Sequence, residues 1–140
     1  KMDMEAKGMA TDIDTVFEAE DNFIRGQTLM ERGEFKAALS YFEKACELQA
    51  GSDVSQAHRK YVSWRLAADP NTAYQIIKEI EAHYNACPAE HIFLEFQGNI
   101  AMQANLPKEA VTYYKRCLEK LPNNVNAQRN IRLIQQRQNS

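Results

Sequence analysis

Apolar side chains recur every three to four positions along most of this chain, and this spacing predicts α-helices throughout. The clearest stripe comprises Ala73, Ile76, Ile77, Ile80 and Tyr84, which places five apolar residues on one helical face. Breaks between the stripes fall where glycine, proline or asparagine interrupts the period, at residues 32–33, 50–52, 69–71, 88–90, 105–107 and 122–124. Seven helices are therefore predicted, the first starting near residue 12, after a polar segment at 1–11 that we expect to be disordered or frayed.

One pattern of side-chain sizes occurs twice, 72 residues apart. Small residues and one aromatic residue stand at intervals of 7, 5, 4 and 3, which suits two packed antiparallel helices, because small residues let the backbones approach and the aromatic ring fills the gap. Since 72 is close to twice 34, a third, diverged copy is expected in between. The first copy is Gly26, Gly33, Ala38, Phe42 and Ala45, and the second is Gly98, Asn105, Ala110, Tyr114 and Cys117.

These positions resemble the tetratricopeptide repeat (TPR) family, whose pattern places Trp, Leu, Gly and Tyr on one helix and Ala, Phe and Pro on the next. Residues matching it are Gly26, Leu29, Gly33, Phe35, Ala38, Phe42 and Ala45 in repeat one, and Leu94, Gly98, Ala101, Ala110, Tyr114, Cys117 and Pro122 in repeat three. In the middle repeat, Ser63 is aligned with the glycine, which gives repeat lengths of 37 and 35 residues. The C-terminal sequence and the uneven middle repeat resemble bacterial TPR segments attached to J-domains or signalling modules.

The resemblance implies an all-α fold, a right-handed α-solenoid of three helix-turn-helix repeats followed by a C-terminal capping helix. We predict a single domain at 12–138, with repeats at about 15–51, 52–88 and 89–123 and the capping helix at about 124–138. The final helix is polar on one side, as expected for a helix that covers the last core face of a repeat array.

The resemblance also implies a concave groove lined by the first helix of each repeat. A peptide lying there would bury apolar side chains against aromatic residues and Met, while polar side chains hold its backbone. Phe23 and Trp64 have an alternative role, since large aromatic residues also fill the gap between repeats. The groove candidates are Phe23, Gln27, Met30, Lys60, Tyr61, Trp64, Glu95, Asn99 and Met102.

Chaperone-binding members of the family hold the terminal carboxylate of a peptide with Lys, Asn and Arg side chains. The matching positions here include Phe23, Gln27, Ile92 and Phe96, which cannot supply those charges. The resemblance therefore implies that this carboxylate clamp is absent and that chaperone tails are not the ligand.

The charge and the cysteine content of the chain narrow its possible partners and its redox compartment. A net charge of −2, from 17 basic and 19 acidic residues, argues against nucleic acid as a partner, and the absence of a long apolar run argues against membrane insertion. Cys46, Cys87 and Cys117 fit neither a disulfide framework nor zinc spacing. Buried free thiols in a reducing, cytoplasmic compartment are expected instead. A first residue of Lys rather than Met suggests a piece of a larger multidomain protein.

Catalytic and metal motifs are missing from the sequence. It contains no nucleophile elbow, phosphate-binding loop or zinc-protease motif, so we expect no enzyme activity and no cofactor. His83, Cys87 and His91 are spaced four apart at a helix end, but a structural zinc site needs four ligands, so no metal is expected.

Three functions fit these observations. The first is a non-catalytic interaction module that binds a protein or peptide partner in the groove, as an adaptor within a larger protein. The alternative is a structural module that self-associates, for example as a homodimer, or packs against its own flanking domains. A third is an RNA or membrane-surface adaptor that uses the basic side chains of Arg129, Arg132 and Arg137 on the final helix.

Overall fold

The computed structural model describes the backbone of residues 2–139 and the side chains of residues 13–139. Within this part the chain forms seven α-helices and one short 3₁₀ turn, with no strand, so the predicted number of helices is confirmed. The α-helices are α1 (Met2–Glu31), α2 (Phe35–Leu48), α3 (Asp53–Ala67), α4 (Ala73–Ala86), α5 (Ile92–Gln103), α6 (Pro107–Lys120) and α7 (Val125–Gln138), and the 3₁₀ turn is Pro70–Thr72.

The first helix is longer than the apolar period predicts, because it begins at Met2 rather than near residue 12. The segment predicted to be disordered or frayed, residues 1–11, lies outside the residues whose side chains the structure describes. That prediction therefore stays a prediction.

The chain divides into two compact units, Lys1–Leu66 and Ala67–Ser140. In the first unit α1 and α2 pack along each other at the point where Gly26 meets the ring of Phe42. A Cβ atom added to Gly26 would lie 2.6 Å from Cε1 of Phe42, so only glycine permits this approach. Ala38, Phe42 and Ala45 are fully buried on α2, as the repeat pattern predicts.

The second unit repeats this contact between α5 and α6. A Cβ atom added to Gly98 would lie 2.6 Å from Cε1 of Tyr114, the residue 72 positions after Phe42. The unit continues with α4 packed on α5 and with α7 packed on α6. The α7 helix buries Ala127 and Ile134 while its other side stays exposed, which is the arrangement expected of a terminal helix.

Left-handed residues follow α1, α3 and α5 and give the register of the middle repeat. Gly33, Ala68 and Asn105 have φ angles of 81°, 50° and 61°, and they are spaced by 35 and 37 residues. Tyr61 lies 35 residues after Gly26 and 37 residues before Gly98, so it stands at the position that glycine occupies in the outer repeats. The predicted alignment of Ser63 with that position is therefore wrong by two residues, and Ser63 is exposed.

A change of side-chain size explains why the sequence misplaced this repeat. Where the outer repeats pair glycine with an aromatic residue, the middle repeat has the large Tyr61 at the first position and the smaller Ile77 at the second. Both are 3% exposed. The reversal of large and small residues removes the glycine from which a repeat is normally recognised.

Candidate binding surfaces

Three of the predicted groove residues form a half-buried stripe on α1. Phe23, Gln27 and Met30 are spaced by four and three residues, which places them on one helical face, and all three are partly accessible. The ring of Phe23 packs against Phe42 at a centroid distance of 5.7 Å and against His58 of α3 at 4.8 Å. These contacts fix the stripe at one end while leaving Gln27 and Met30 open to solvent in part. We call these three residues the α1 stripe.

The aromatic candidates on α3 belong to the core. Tyr61 and Trp64 are each only 3% exposed, so for Trp64 the structure agrees with the core role that the sequence left open. Lys60 is half-buried. Because Tyr61 and Trp64 expose so little surface, they offer no apolar anchor to a ligand in this conformation.

The corrected register identifies a side chain that the sequence analysis missed. Arg65 lies 35 residues after Met30, at the same place in its repeat, and it is half-buried. Its guanidinium lies 4.7 Å from the ring centroid of Phe35 and donates a hydrogen bond of 2.6 Å to the hydroxyl oxygen of Tyr61. Pro70 is the sequence signal from which the position of Arg65 could have been predicted. It stands 37 residues before Pro107, and the same interval separates Arg65 from Met102.

The candidates of repeat three take part in internal hydrogen bonds of the second unit. The hydroxyl of Tyr114 donates to Oδ1 of Asn99 at 2.6 Å and lies 3.8 Å from the sulfur of Met102. Oε1 of Glu95 accepts a hydrogen bond from the side-chain amide of Asn124 at 2.5 Å. These side chains therefore link α5 to α6 and to the start of α7, which limits the hydrogen bonds they can offer a partner.

A small cavity of about 190 Å³ lies next to Met102 in the second unit. It is formed where the turn between α5 and α6 approaches the C-terminal end of α7. Its lining residues are Met102, Asn105, Pro107, Ile134, Arg137 and Gln138. The lining combines apolar surface with the guanidinium group of Arg137.

The titratable side chains of His58, Cys46 and Cys117 are buried in the interior, and burial shifts the pKa of each. Burial lowers the pKa of His58 from 6.5 to about 4, although its Nδ1–H donates a hydrogen bond of 2.8 Å to the carbonyl oxygen of Val54. Burial also raises the pKa of the Cys46 thiol, and that of Cys117 to about 11. Both thiols are buried, as predicted. Among the residues that the structure describes, no three His, Cys, Asp or Glu side chains converge on a metal position.

Comparison with known proteins supports the repeat interpretation. A sequence profile described as tetratricopeptide repeat matches residues 22–51. The first TPR of Spaghetti (RPAP3), solved with the HSP90 peptide SRMEEVD, is 19% identical with a TM-score of 0.68, and the match covers 89% of this chain and 98% of that one. The fold is that of a tetratricopeptide-repeat domain.

Two further TPR structures have a similar fold. The Arabidopsis OM64 TPR domain is 12% identical with a TM-score of 0.68, and the match covers 88% of this chain and 98% of that chain. The second TPR domain of human RPAP3, solved with the HSP70 peptide SGPTIEEVD, is 13% identical with a TM-score of 0.62, over 89% and 98% of the two chains. Among curated proteins, no sequence relative was found.

The comparisons confirm the predicted all-α fold of TPR type, and two of the three solved TPR domains named above hold a bound peptide. In the described part of the chain, no helix is both long and apolar enough to cross a bilayer.

Proposed function

We propose that this chain is a non-catalytic protein-interaction module and that it binds a peptide segment of a partner protein on the α1 stripe. The observation that carries the proposal is the fold match over 89% of the chain to a TPR domain solved with a bound peptide. In this proposal the chain recruits a partner for a larger cytoplasmic protein of bacterial type. An odd number of cysteines, with Cys46 and Cys117 buried, suits a reducing compartment.

The α1 stripe has the composition of a peptide-binding surface. Met30 offers a flexible apolar side chain that adapts to different partners. One helical turn earlier, the amide of Gln27 can both donate and accept a hydrogen bond with an extended peptide backbone. Phe23 is held by Phe42 and His58 at the distances given above, so its accessible edge is ordered before a ligand arrives. A preordered surface loses less entropy on binding.

The ligand differs from the acidic peptides of the two RPAP3 structures. Phe23 and Gln27 stand at clamp positions on α1, while Phe96 is 2% exposed and Ile92 is half-buried on α5. None of the four carries the positive charge that a terminal carboxylate requires. We therefore propose that the chain binds an internal peptide segment with an apolar anchor rather than a free acidic C-terminus.

Selection from a displayed random-peptide library tests the proposal, followed by fluorescence anisotropy with the selected peptide. We expect Met30→Glu and Gln27→Ala to weaken binding, Met30→Glu by about tenfold or more because it places a charge at an apolar contact. Lys44→Glu, an exposed change on α2, serves as the matched control and should bind as the native chain does.

Three results bear on the proposal. If no peptide is enriched, or if the α1 variants bind with native affinity, the peptide-binding role on this stripe is wrong. If the peptide SRMEEVD binds as tightly as the selected peptide and the α1 variants weaken it, the role stands but the inferred preference for internal segments does not.

A further inference from the structure

A second face of α1, separate from the α1 stripe, exposes large apolar side chains. Ile13, Phe17 and Ile24 are 56%, 65% and 51% exposed. Their spacing of four and seven residues places them on one side of the helix, roughly a quarter turn from Phe23 and Met30. A row of three exposed large apolar residues on one helix face is unusual for a surface that meets only water.

This face is also acidic. Residues 13–24 contain four carboxylates and no Lys or Arg, and two of the carboxylates, those of Glu20 and Asp21, lie on this side of the helix. Glu20 and Asp21 lie along the chain between Phe17 and Ile24, so negative charge separates the apolar side chains on this side. The first cation is Arg25, whose guanidinium lies 3.2 Å from the carboxylate of Asp21. We call the side of α1 that carries Ile13, Phe17, Glu20, Asp21 and Ile24 the acidic face.

The outer side of α7 has the opposite charge. Val125–Gln138 contains three arginines and no acidic residue. Val125 and Leu133 are 66% and 37% exposed, and the exposed Arg129 and Arg132 fall between them on the same side of the helix. We call this side, defined by these four residues, the basic face.

The two faces match in the order of their side chains. Each has an apolar side chain at either end and charged side chains between, with carboxylates on α1 and guanidinium groups on α7. The acidic face spans 12 residues, from Ile13 to Ile24, and the basic face spans nine, from Val125 to Leu133, or about 18 and 14 Å at 1.5 Å per residue. Paired side by side, the helices would cover the exposed apolar side chains and bring opposite charges together.

We propose that the acidic face of one chain binds the basic face of a second copy of the same chain. This makes the self-association alternative specific, and it uses residues outside the α1 stripe. Because the two surfaces differ, the contact is heterologous, and copies joined by it form either a closed ring or an open chain. The mass should therefore rise with concentration, and salt should weaken the association by screening the charges.

Sedimentation velocity on three variants and one mixture tests this arrangement. Phe17→Glu blocks the acidic face, Arg132→Glu blocks the basic face, and Lys115→Glu on α6 is a matched control with the same charge change as Arg132→Glu. All three residues are exposed, and circular dichroism checks that each variant folds. We expect the native chain and Lys115→Glu to grow in mass with concentration and the other two variants to stay monomeric.

The mixture decides the geometry. Phe17→Glu retains an intact basic face and Arg132→Glu retains an intact acidic face, so an equal mixture should form a 1:1 dimer and nothing larger. A native chain that stays monomeric from micromolar to millimolar concentration would overturn the proposal. So would a dimer of Arg132→Glu alone, because that dimer would use the acidic face against itself or another surface altogether.

Discussion

Gly26 lies so close to Phe42 that a single methyl group has no room between them. The distance from an added Cβ atom to Cε1 of the ring would be 2.6 Å, and the same distance separates an added Cβ on Gly98 from Tyr114. Two helix pairs 72 residues apart thus close on the same contact. This contact produces the repeated size pattern in the sequence.

Alanine at either glycine should destabilise the fold. Overpacking a buried site costs about 1–3 kcal/mol, while replacing glycine by alanine within a helix returns about 1 kcal/mol. We expect Gly26→Ala and Gly98→Ala to lower the free energy of unfolding by up to about 2 kcal/mol on balance in urea denaturation. Gly51→Ala is the control, because an added Cβ there meets nothing within 4 Å. Native stability of Gly26→Ala would show that the rings can move aside.

Replacing Ala68 with glycine should stabilise the fold. Its φ of 50° places an L-residue in the left-handed region, at a cost of about 1–2 kcal/mol. Glycine removes this strain but loses about 0.4–1 kcal/mol through the entropy of the unfolded chain. We expect Ala68→Gly to raise the free energy of unfolding by up to about 1.5 kcal/mol. Gly33→Ala, at a φ of 81°, should change stability in the opposite direction.

The close-contact glycines and the left-handed turn residues show what the sequence could and could not predict. The outer repeats were recognisable because Gly26 and Gly98 are each followed by an aromatic residue 16 positions later. The middle repeat has Tyr61 and Ile77 in those places, so the sizes mislead. The left-handed backbone of Ala68 leaves no trace in the residue type. Pro70 and Ala73, each 37 residues before Pro107 and Ala110, carried the correct register.

The candidate surface was predictable only in part. Helical spacing places Phe23, Gln27 and Met30 on one face of α1, where all three are partly accessible, and their role in binding stays a prediction. It could not show that Trp64 is buried, because an aromatic residue suits both a groove and a core. It could not show either that Tyr114 would use Asn99 as its hydrogen-bond acceptor, since this depends on how α6 packs against α5.

Acid should destabilise the fold through His58. Its pKa is about 4 in the folded chain and 6.5 when unperturbed, so the unfolded chain binds the proton more tightly. Stability is therefore fully present above pH 6.5 and is lost as pH falls towards 4, by about 3 kcal/mol in total. Carboxylates titrate in the same range, so the measurement is the difference in unfolding free energy between the native chain and His58→Leu across pH. A difference that does not change with pH would contradict the buried neutral state.

The three thiols should differ in reactivity. Burial raises the pKa of Cys46 and Cys117 and hides both sulfur atoms, whereas Cys87 is half-buried at the end of α4. Because the thiolate is the reactive form, a maleimide at mildly alkaline pH should label Cys87 first. The other two should react only after denaturation. Mass spectrometry of the labelled peptides reads this directly, and Cys87→Ser should abolish the early labelling. Rapid labelling of Cys117 in the native chain would be inconsistent with its burial.

The most direct test of the peptide-binding account is an NMR titration of the isotope-labelled chain with a library-selected peptide. The account predicts that the largest backbone amide shifts fall on α1 between Phe23 and Met30, and that Met30→Glu suppresses them. Shifts confined to the outer side of α2 or α6, or no shifts at saturating peptide, would contradict it.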